Sequence, residues 1–196
     1  MKKDEVIVID DVIDIEYQEK IKNVLIGDDE FNELEFPWFY LQDVTTAYGD
    51  PNSQNRPALI HLYVGYHGES PGMVGSLMHD LFIPLLQQTC HRIGKDKVSI
   101  LQGRSFLQFP LNLKNNDVDL PHIDIDDRKH FVILYYVCDS DGDTIIYNER
   151  EESREYTIKQ KVAPKQGRVV IFDGGLMHTA EQPKDNVRCV VNYDLE

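Results

Sequence analysis

Cysteine is scarce in this chain, long apolar runs are missing, and positive charge is outnumbered. Cys90, Cys138 and Cys189 are its only cysteines. They are odd in number, lie far apart and form no C-x-x-C pair, which argues against a disulfide framework or a zinc ribbon. A reducing, cytoplasmic setting is the expectation. The longest strongly apolar stretch, Phe131 to Cys138, is far too short to span a bilayer. The run Val6 to Ile9 behind Lys2 and Lys3 is too short for a signal-peptide core, so no membrane association is expected. Lys and Arg number 20 against 34 Asp and Glu, a formal charge of −14 with a sequence pI near 4.8. Such a balance lacks the basic face that phosphate neutralisation needs and disfavours nucleic acid as a partner. No G-x-S-x-G, Walker loop or G-x-G-x-x-G occurs.

What is present suffices for a sizeable core: 41% of residues are hydrophobic and 10% aromatic, too much for a disordered chain. A length of 196 residues fits a single domain spanning 1–196. Within it, residues 1–97 read as a helical or mixed support region and 98–196 as the strand-rich core. Tyr17, Ile21, Val24 and Leu25 recur at helical spacing, with Asp14 to cap the start and Gly27 the end. A second helix is expected from Ser70 to about Arg92, with Ser70 as N-cap, Pro71 in its first turn and a kink at Pro84. Tyr48 to Pro57 is dense in turn formers and reads as an exposed loop. The acidic clusters Asp28–Glu30 and Glu149–Glu155 read as solvated loops.

Beyond Gly94 the texture changes to short β-branched and aromatic runs bounded by Asp, Asn, Gly and Pro. They predict strands near Val98–Phe109, Asp119–Asp124, His130–Val137, Thr144–Glu149, Tyr156–Val162, Arg168–Phe172, His178–Glu181 and Arg188–Tyr193. Strands of this number and spacing suggest an antiparallel sandwich or barrel, with the helices covering one face.

Chemistry concentrates in four residues. In Pro121-His122-Ile123-Asp124, strand alternation puts His122 and Asp124 on one face and Ile123 on the other. A two-His-one-carboxylate metal site needs a third ligand from a strand distant in sequence. His178, after the strand GRVVIF and the turn Asp173-Gly174-Gly175, meets that need. Arg188 follows ten residues later, and its planar guanidinium suits it to clamp a carboxylate. Taken singly, each has an ordinary structural use; their order and strand context give them weight together. Rival motifs fail: Asp139-x-Asp141-x-Asp143 has Gly142 in the wrong place for a calcium loop and Arg150 where the bidentate Glu belongs, and a hairpin turn explains it better. His67-x-Glu69 sits in a Gly/Pro-rich loop without a partner.

His122-x-Asp124, His178 and Arg188, in a half that includes FVILYYVCDSDGDTIIYNE, GRVVIFDGGLMHTAEQP and VRCVVNYDL, resemble the iron(II)- and 2-oxoglutarate-dependent dioxygenases. The likeness is to the small prolyl-4-hydroxylase-like group that includes phage-encoded members, and it covers residues 98–195. It implies a double-stranded β-helix, or jelly roll, with His122, Asp124 and His178 as iron(II) ligands. Arg188 would bind the distal carboxylate of 2-oxoglutarate, with O2 as second co-substrate and succinate as co-product. Many prolyl hydroxylases carry lysine at that last position, so peptidyl-proline does not transfer as substrate; a protein side chain or a small molecule stays open. Arg104 and Gln108, which share a face with Phe106, and Tyr136, which shares one with Val132 and Leu134, are further candidates to line the co-substrate pocket. Asp126 would lie on its rim, and Tyr48–Pro57 and Asn115–Leu120 are candidates to close over it. A cupin-like metalloprotein independent of 2-oxoglutarate and a non-catalytic jelly-roll binding or virion protein are the alternatives.

Overall fold

The computed structural model describes residues 4–27, 36–45, 53–111 and 118–196. Strand β1 (Val6–Ile9) leads to helix α1 (Ile15–Ile26). Asp14 caps that helix by accepting from Tyr17 N at 2.8 Å, and Gly27 N–H closes it onto Asn23 O at 3.0 Å, as the spacing predicted. It buries Ile21, Val24 and Leu25. The Asp28–Glu30 cluster lies outside the described residues.

The second helix begins later than expected. After β2 (Phe39–Leu41) and β3 (Ala58–Gly65), residues Met73–Val74 form a short β4 against Val64–Gly65. Gly72 N–H donates to Ile100 O and Gly75 N–H to Tyr63 O, both at 2.8 Å. Contacts with distant strands therefore override the helical pattern between Ser70 and Ser76. Ser76 then caps a 3-10 helix (Leu77–Phe82), which runs into α2 (Ile83–Arg92). Pro84 sits in the first turn of α2, where its missing N–H costs nothing, and so it starts a helix instead of kinking one.

The remaining strands are β5 (Ile100–Gln108), β6 (Phe131–Tyr136), β7 (Thr144–Tyr147), β8 (Ile158–Val162), β9 (Val169–Asp173), β10 (His178–Ala180) and β11 (Arg188–Leu195). They lie close to the predicted runs, except that Asp119–Asp124 forms no strand. That segment makes two isolated bridges, Val118 to Glu181 and His122 to His178. The larger sheet has the order β1-β9-β6-β11-β5-β3-β2, with β4 on β3; the smaller is β10-β7-β8, and every pairing is antiparallel. Four of the larger sheet's eight strands come from before residue 98, because Ala58–Gly65, which alternates weakly, pairs along β5.

Alternation explains the two cores. Phe131, Ile133 and Tyr135 of β6 join Val191, Tyr193 and Leu195 of β11 beneath the helices. Val132, Leu134 and Tyr136 turn the other way, with Val170, Phe172 and Val190, to meet Ile146 and Val162 of the smaller sheet. With both faces covered, β6 is buried at every position, and its sequence is accordingly a continuous apolar run. The two facing sheets make the mainly β, jelly-roll arrangement. Asp139–Asp143 is not the hairpin turn expected, because β6 and β7 lie in different sheets; it crosses between the sheets, and Asp141 accepts the N–H groups of Lys184 and Asp185 at 2.9 and 3.1 Å. No helix among the described residues is long and apolar enough to cross a membrane.

One packing point is exacting. Gly103 lies where the Tyr193 ring crosses β5, and an added Cβ would overlap that ring. Gly103→Ala is therefore expected to destabilise the fold by about 1–3 kcal/mol, read as a lower urea midpoint with an unchanged m-value.

Candidate metal centre and its cavity

The inner face of β11 carries Arg188, Val190 and Asn192 in alternation, and on β5 their register partners are Gln108, Phe106 and Arg104. These six residues line one side of a cavity of about 370 Å³. His122, Asp124, Thr144, His178 and Thr179 line the other, while Leu41, Asp43, Thr45 and Ile60 stand where the smaller sheet no longer covers the larger.

His122, Asp124 and His178 converge here, with one donor atom from each lying within 4.8 Å of the others. His122 Nε2 is 3.5 Å from Asp124 Oδ1, and His178 Nε2 is 3.4 Å from Oδ2. The outer nitrogens are already committed: His122 Nδ1 lies 3.2 Å from Leu120 O and His178 Nδ1 lies 3.1 Å from Leu176 O. A carbonyl oxygen only accepts, so each Nδ1 carries the proton and each Nε2 turns a lone pair inward. The bridge between the two histidines, N–H to carbonyl at 2.9 and 3.0 Å, sets their rings side by side.

Asp124 is held rigidly. Its side chain is 1% exposed, Arg104 donates to Oδ1, and Asn192 Nδ2 donates to Oδ2 at 3.1 Å. Burial works to raise its pKa, but the Arg104 guanidinium beside it prevails and holds the carboxyl well below the usual carboxylate range. Asp194, two positions past Asn192, lies deeper; burial and the neighbouring Asp124 charge push its pKa well up. The three donors thus suit a divalent transition metal of the two-His-one-carboxylate class, with the cavity on the open side.

Arg188 closes the far end of the cavity. It is buried, and its Nε donates to Gly142 O at 2.9 Å, one terminal nitrogen to Gln108 Oε1 at 2.8 Å and the other to Thr144 Oγ1 at 2.8 Å. Three of five N–H groups are spent and every partner is neutral. No carboxylate comes within salt-bridge distance of Arg188 among the described residues, although Asp119 acts on it through space. Asp119 pairs with Arg56 at 3.3 Å and accepts from Gln182 and from Gln108 Nε2.

The other candidates fall into place differently. Arg104 turns to Asp124, and Gln108 bridges Arg188 to Asp119. Tyr136 does not line the cavity; it is buried, and its hydroxyl donates to Thr144 Oγ1 at 2.7 Å, so that it backs the Arg188 site from behind. Burial pushes that phenol up to about 12. Asp126 is exposed and away from the cavity. Of the two segments expected to close over the site, 48–52 and 115–117 lie outside the described residues. Asn192 went unremarked in the sequence, yet its place four residues after Arg188 on one strand put it on the same face. Asp119, Arg56 and Thr144 had no such signal, because their partners are remote in sequence.

At the cavity mouth Asp43 gathers four hydrogen bonds, from Thr45 N, Thr45 Oγ1, Ser53 Oγ and Asn55 N. Burial would raise its pKa, but these donors prevail and lower it from 3.8 to about 2. A depressed carboxyl contributes stability that is complete above its unfolded pKa and lost as the pH falls through its folded one. Urea midpoints of the unsubstituted chain should therefore drop between pH 3.8 and about 2, and Asp43→Asn should flatten that limb while lowering stability at pH 7 by about 1–2 kcal/mol.

Compared by sequence, the chain matches no protein-family model and no curated protein. Compared by structure it has many likenesses. A 2OG-Fe(II) oxygenase family oxidoreductase from Burkholderia pseudomallei aligns at TM-score 0.68 and 11% identity, over 97% of this chain and 84% of the other. The viral collagen prolyl hydroxylase of Paramecium Bursaria Chlorella virus-1, solved with 2OG, aligns at TM-score 0.58 and 13% identity, over 97% and 94%. The non-heme alpha ketoglutarate dependent epimerase SnoN from nogalamycin biosynthesis aligns at 0.66 and 8%, over 98% and 78%. At such identities the likeness is one of fold, and the fold is the one expected from the sequence.

Proposed function

We propose that the protein is an iron(II)- and 2-oxoglutarate-dependent dioxygenase, a hydroxylase acting on a protein side chain or a small molecule. The observation that carries this reading is that the His122–Asp124–His178 triad and the buried Arg188, which no carboxylate among the described residues reaches within salt-bridge distance, open onto one cavity. A metal-binding jelly roll alone does not call for a guanidinium at the closed end. Burying one without a counter-charge is costly, and an anionic ligand offsets that cost. The similar structures bear on the same reading, since one was solved with 2OG and others carry that co-substrate in their descriptions.

In this reading His122 and His178 supply neutral imidazole Nε2 ligands, and Asp124 the single anionic one. Iron(II) and 2-oxoglutarate, when bound, supply the oxidising chemistry, in which dioxygen is spent on decarboxylating the co-substrate to succinate and on hydroxylating a C–H bond. The chain's part is geometric and electrostatic. Leu120 and Leu176 carbonyls hold the two rings in the ligating tautomer, and Arg104 and Asn192 fix the carboxylate. Gln108 and Thr144 orient the Arg188 fork so that its two remaining N–H groups meet a carboxylate. The apolar residues Leu41, Ile60 and Phe106 exclude water from the approach. The neighbours differ in what they act on, and the prime substrate of this chain is left at the class named above.

Anaerobic titration of apoprotein with iron(II) and then 2-oxoglutarate should develop the visible charge-transfer band of a metal-chelated keto acid. His178→Ala should abolish the band. Arg188→Ala should keep it but raise the 2-oxoglutarate concentration needed by roughly 30-fold or more, the effect of losing a buried charge-assisted contact. Iron bound without a band would favour a cupin-like metalloprotein, and failure to take up iron would favour a non-catalytic jelly roll.

A further inference from the structure

Of the three triad residues, His122 is the one that the sheets do least to hold. Its side chain is 46% exposed, against 1% for Asp124 and 9% for His178. It lies on the segment Val118–Asp124, which is held to β10 and the residue after it by two isolated bridges, to His178 and Glu181, and no continuous ladder. On its other side no strand runs beside this segment among the described residues. There the side chain of Gln54 takes a strand's place: Leu120 N–H donates to Gln54 Oε1 at 2.9 Å, and Gln54 Nε2 donates to Val118 O at 3.3 Å.

A primary amide joins an acceptor and a donor in one plane, as a peptide group does, and here it meets one N–H and one C=O two residues apart. Its orientation is forced, since the carbonyl side must face the N–H and the NH₂ side the C=O. The residue so held matters, because the carbonyl of Leu120 accepts from His122 Nδ1. If Leu120 turns about its Cα, its carbonyl swings away and the imidazole loses the contact that keeps its proton on Nδ1 and its Nε2 lone pair inward. Thr179 Oγ1 supports the same stretch from the β10 side, donating to Asp119 O at 2.7 Å.

We propose that Gln54 is a positioning residue for the metal centre, acting on His122 through the Val118–Leu120 backbone. The inference rests on the triad being a metal site but not on 2-oxoglutarate being the co-substrate. Gln54 touches no metal donor, so its influence is on ligand geometry alone. Loss of such an outer contact typically weakens metal binding by 10–100-fold.

The test uses cobalt(II) as the probe on full-length apoprotein, without 2-oxoglutarate, reading its visible ligand-field absorption and dissociation constant. Gln54→Ala should weaken cobalt binding about tenfold and alter the band shape, while the urea midpoint changes little. Gln54→Glu, which keeps the acceptor for Leu120 N–H but sets a carboxylate against the Val118 carbonyl, should fall between. Nitrogen-15 chemical shifts of His122 in the apoprotein should report one tautomer in the unsubstituted chain and a mixture in Gln54→Ala. Unchanged cobalt affinity and an unchanged His122 tautomer in both variants would overturn the proposal; should Gln54→Ala not fold, Gln54→Glu carries the same two readouts. Failure of the unsubstituted chain to bind cobalt would remove the metal reading itself, a result distinct from equal binding by all three chains.

Discussion

Charge buried between two β-sheets must be answered by polar partners, and that requirement organises this molecule. The inner face of β11 places Arg188, Asn192 and Asp194 where a sandwich would normally put aliphatic side chains, and β5 sets Gln108 and Arg104 opposite the first two in register, with Arg104 also 4.0 Å from Asp194. An isolated buried ion costs several kcal/mol. The chain meets that cost by pairing Arg104 with Asp124 and by surrounding Arg188 with a carbonyl, an amide and a hydroxyl. Gly142 contributes to this arrangement, since a side chain there would press on the Arg188 stem and on the Glu181 backbone.

The same requirement divides the space between the sheets. Val132, Leu134, Val170, Phe172 and Val190 pack against Ile146 and Val162 and make a dry floor. Beside it the smaller sheet stops, and the uncovered part of β5 and β3 becomes the cavity wall. A three-stranded sheet facing an eight-stranded one is what leaves that opening. Rigidity at the closed end and access at the other are consequences of one mismatch in width.

How far the fold was legible depends on whether a signal was local. The cap of α1 by Asp14 and the strands from β5 to β11 could be read because period and turn residues are written in consecutive positions. The helix expected from Ser70 failed because Gly72 and Gly75 answer to Ile100 and Tyr63, which no local pattern records. Strand β3 went unread, its polar His61 and apolar neighbours giving no clean alternation. Asp119–Asp124 looked like a strand by composition, but it is a bridged segment steadied by side chains.

The candidate centre divides in the same way. The sequence by itself determined the candidate ligand types, their order and the presence of an arginine ten residues beyond the last histidine, since covalent order and strand period decide which side chains share a face. Only the tertiary structure decided that His122 and His178 turn Nε2 inward, that Arg104 serves Asp124 and not the far end of the cavity, and that Tyr136 stands behind Thr144 instead of in the pocket. Those outcomes depend on which carbonyl, hydroxyl or amide lies within about 3 Å after folding, because a hydrogen bond is lost within a fraction of an ångström. Contacts such as Arg188 to Gln108 or Gln54 to Leu120 join residues far apart along the chain, and their geometry exists only once the sheets have closed.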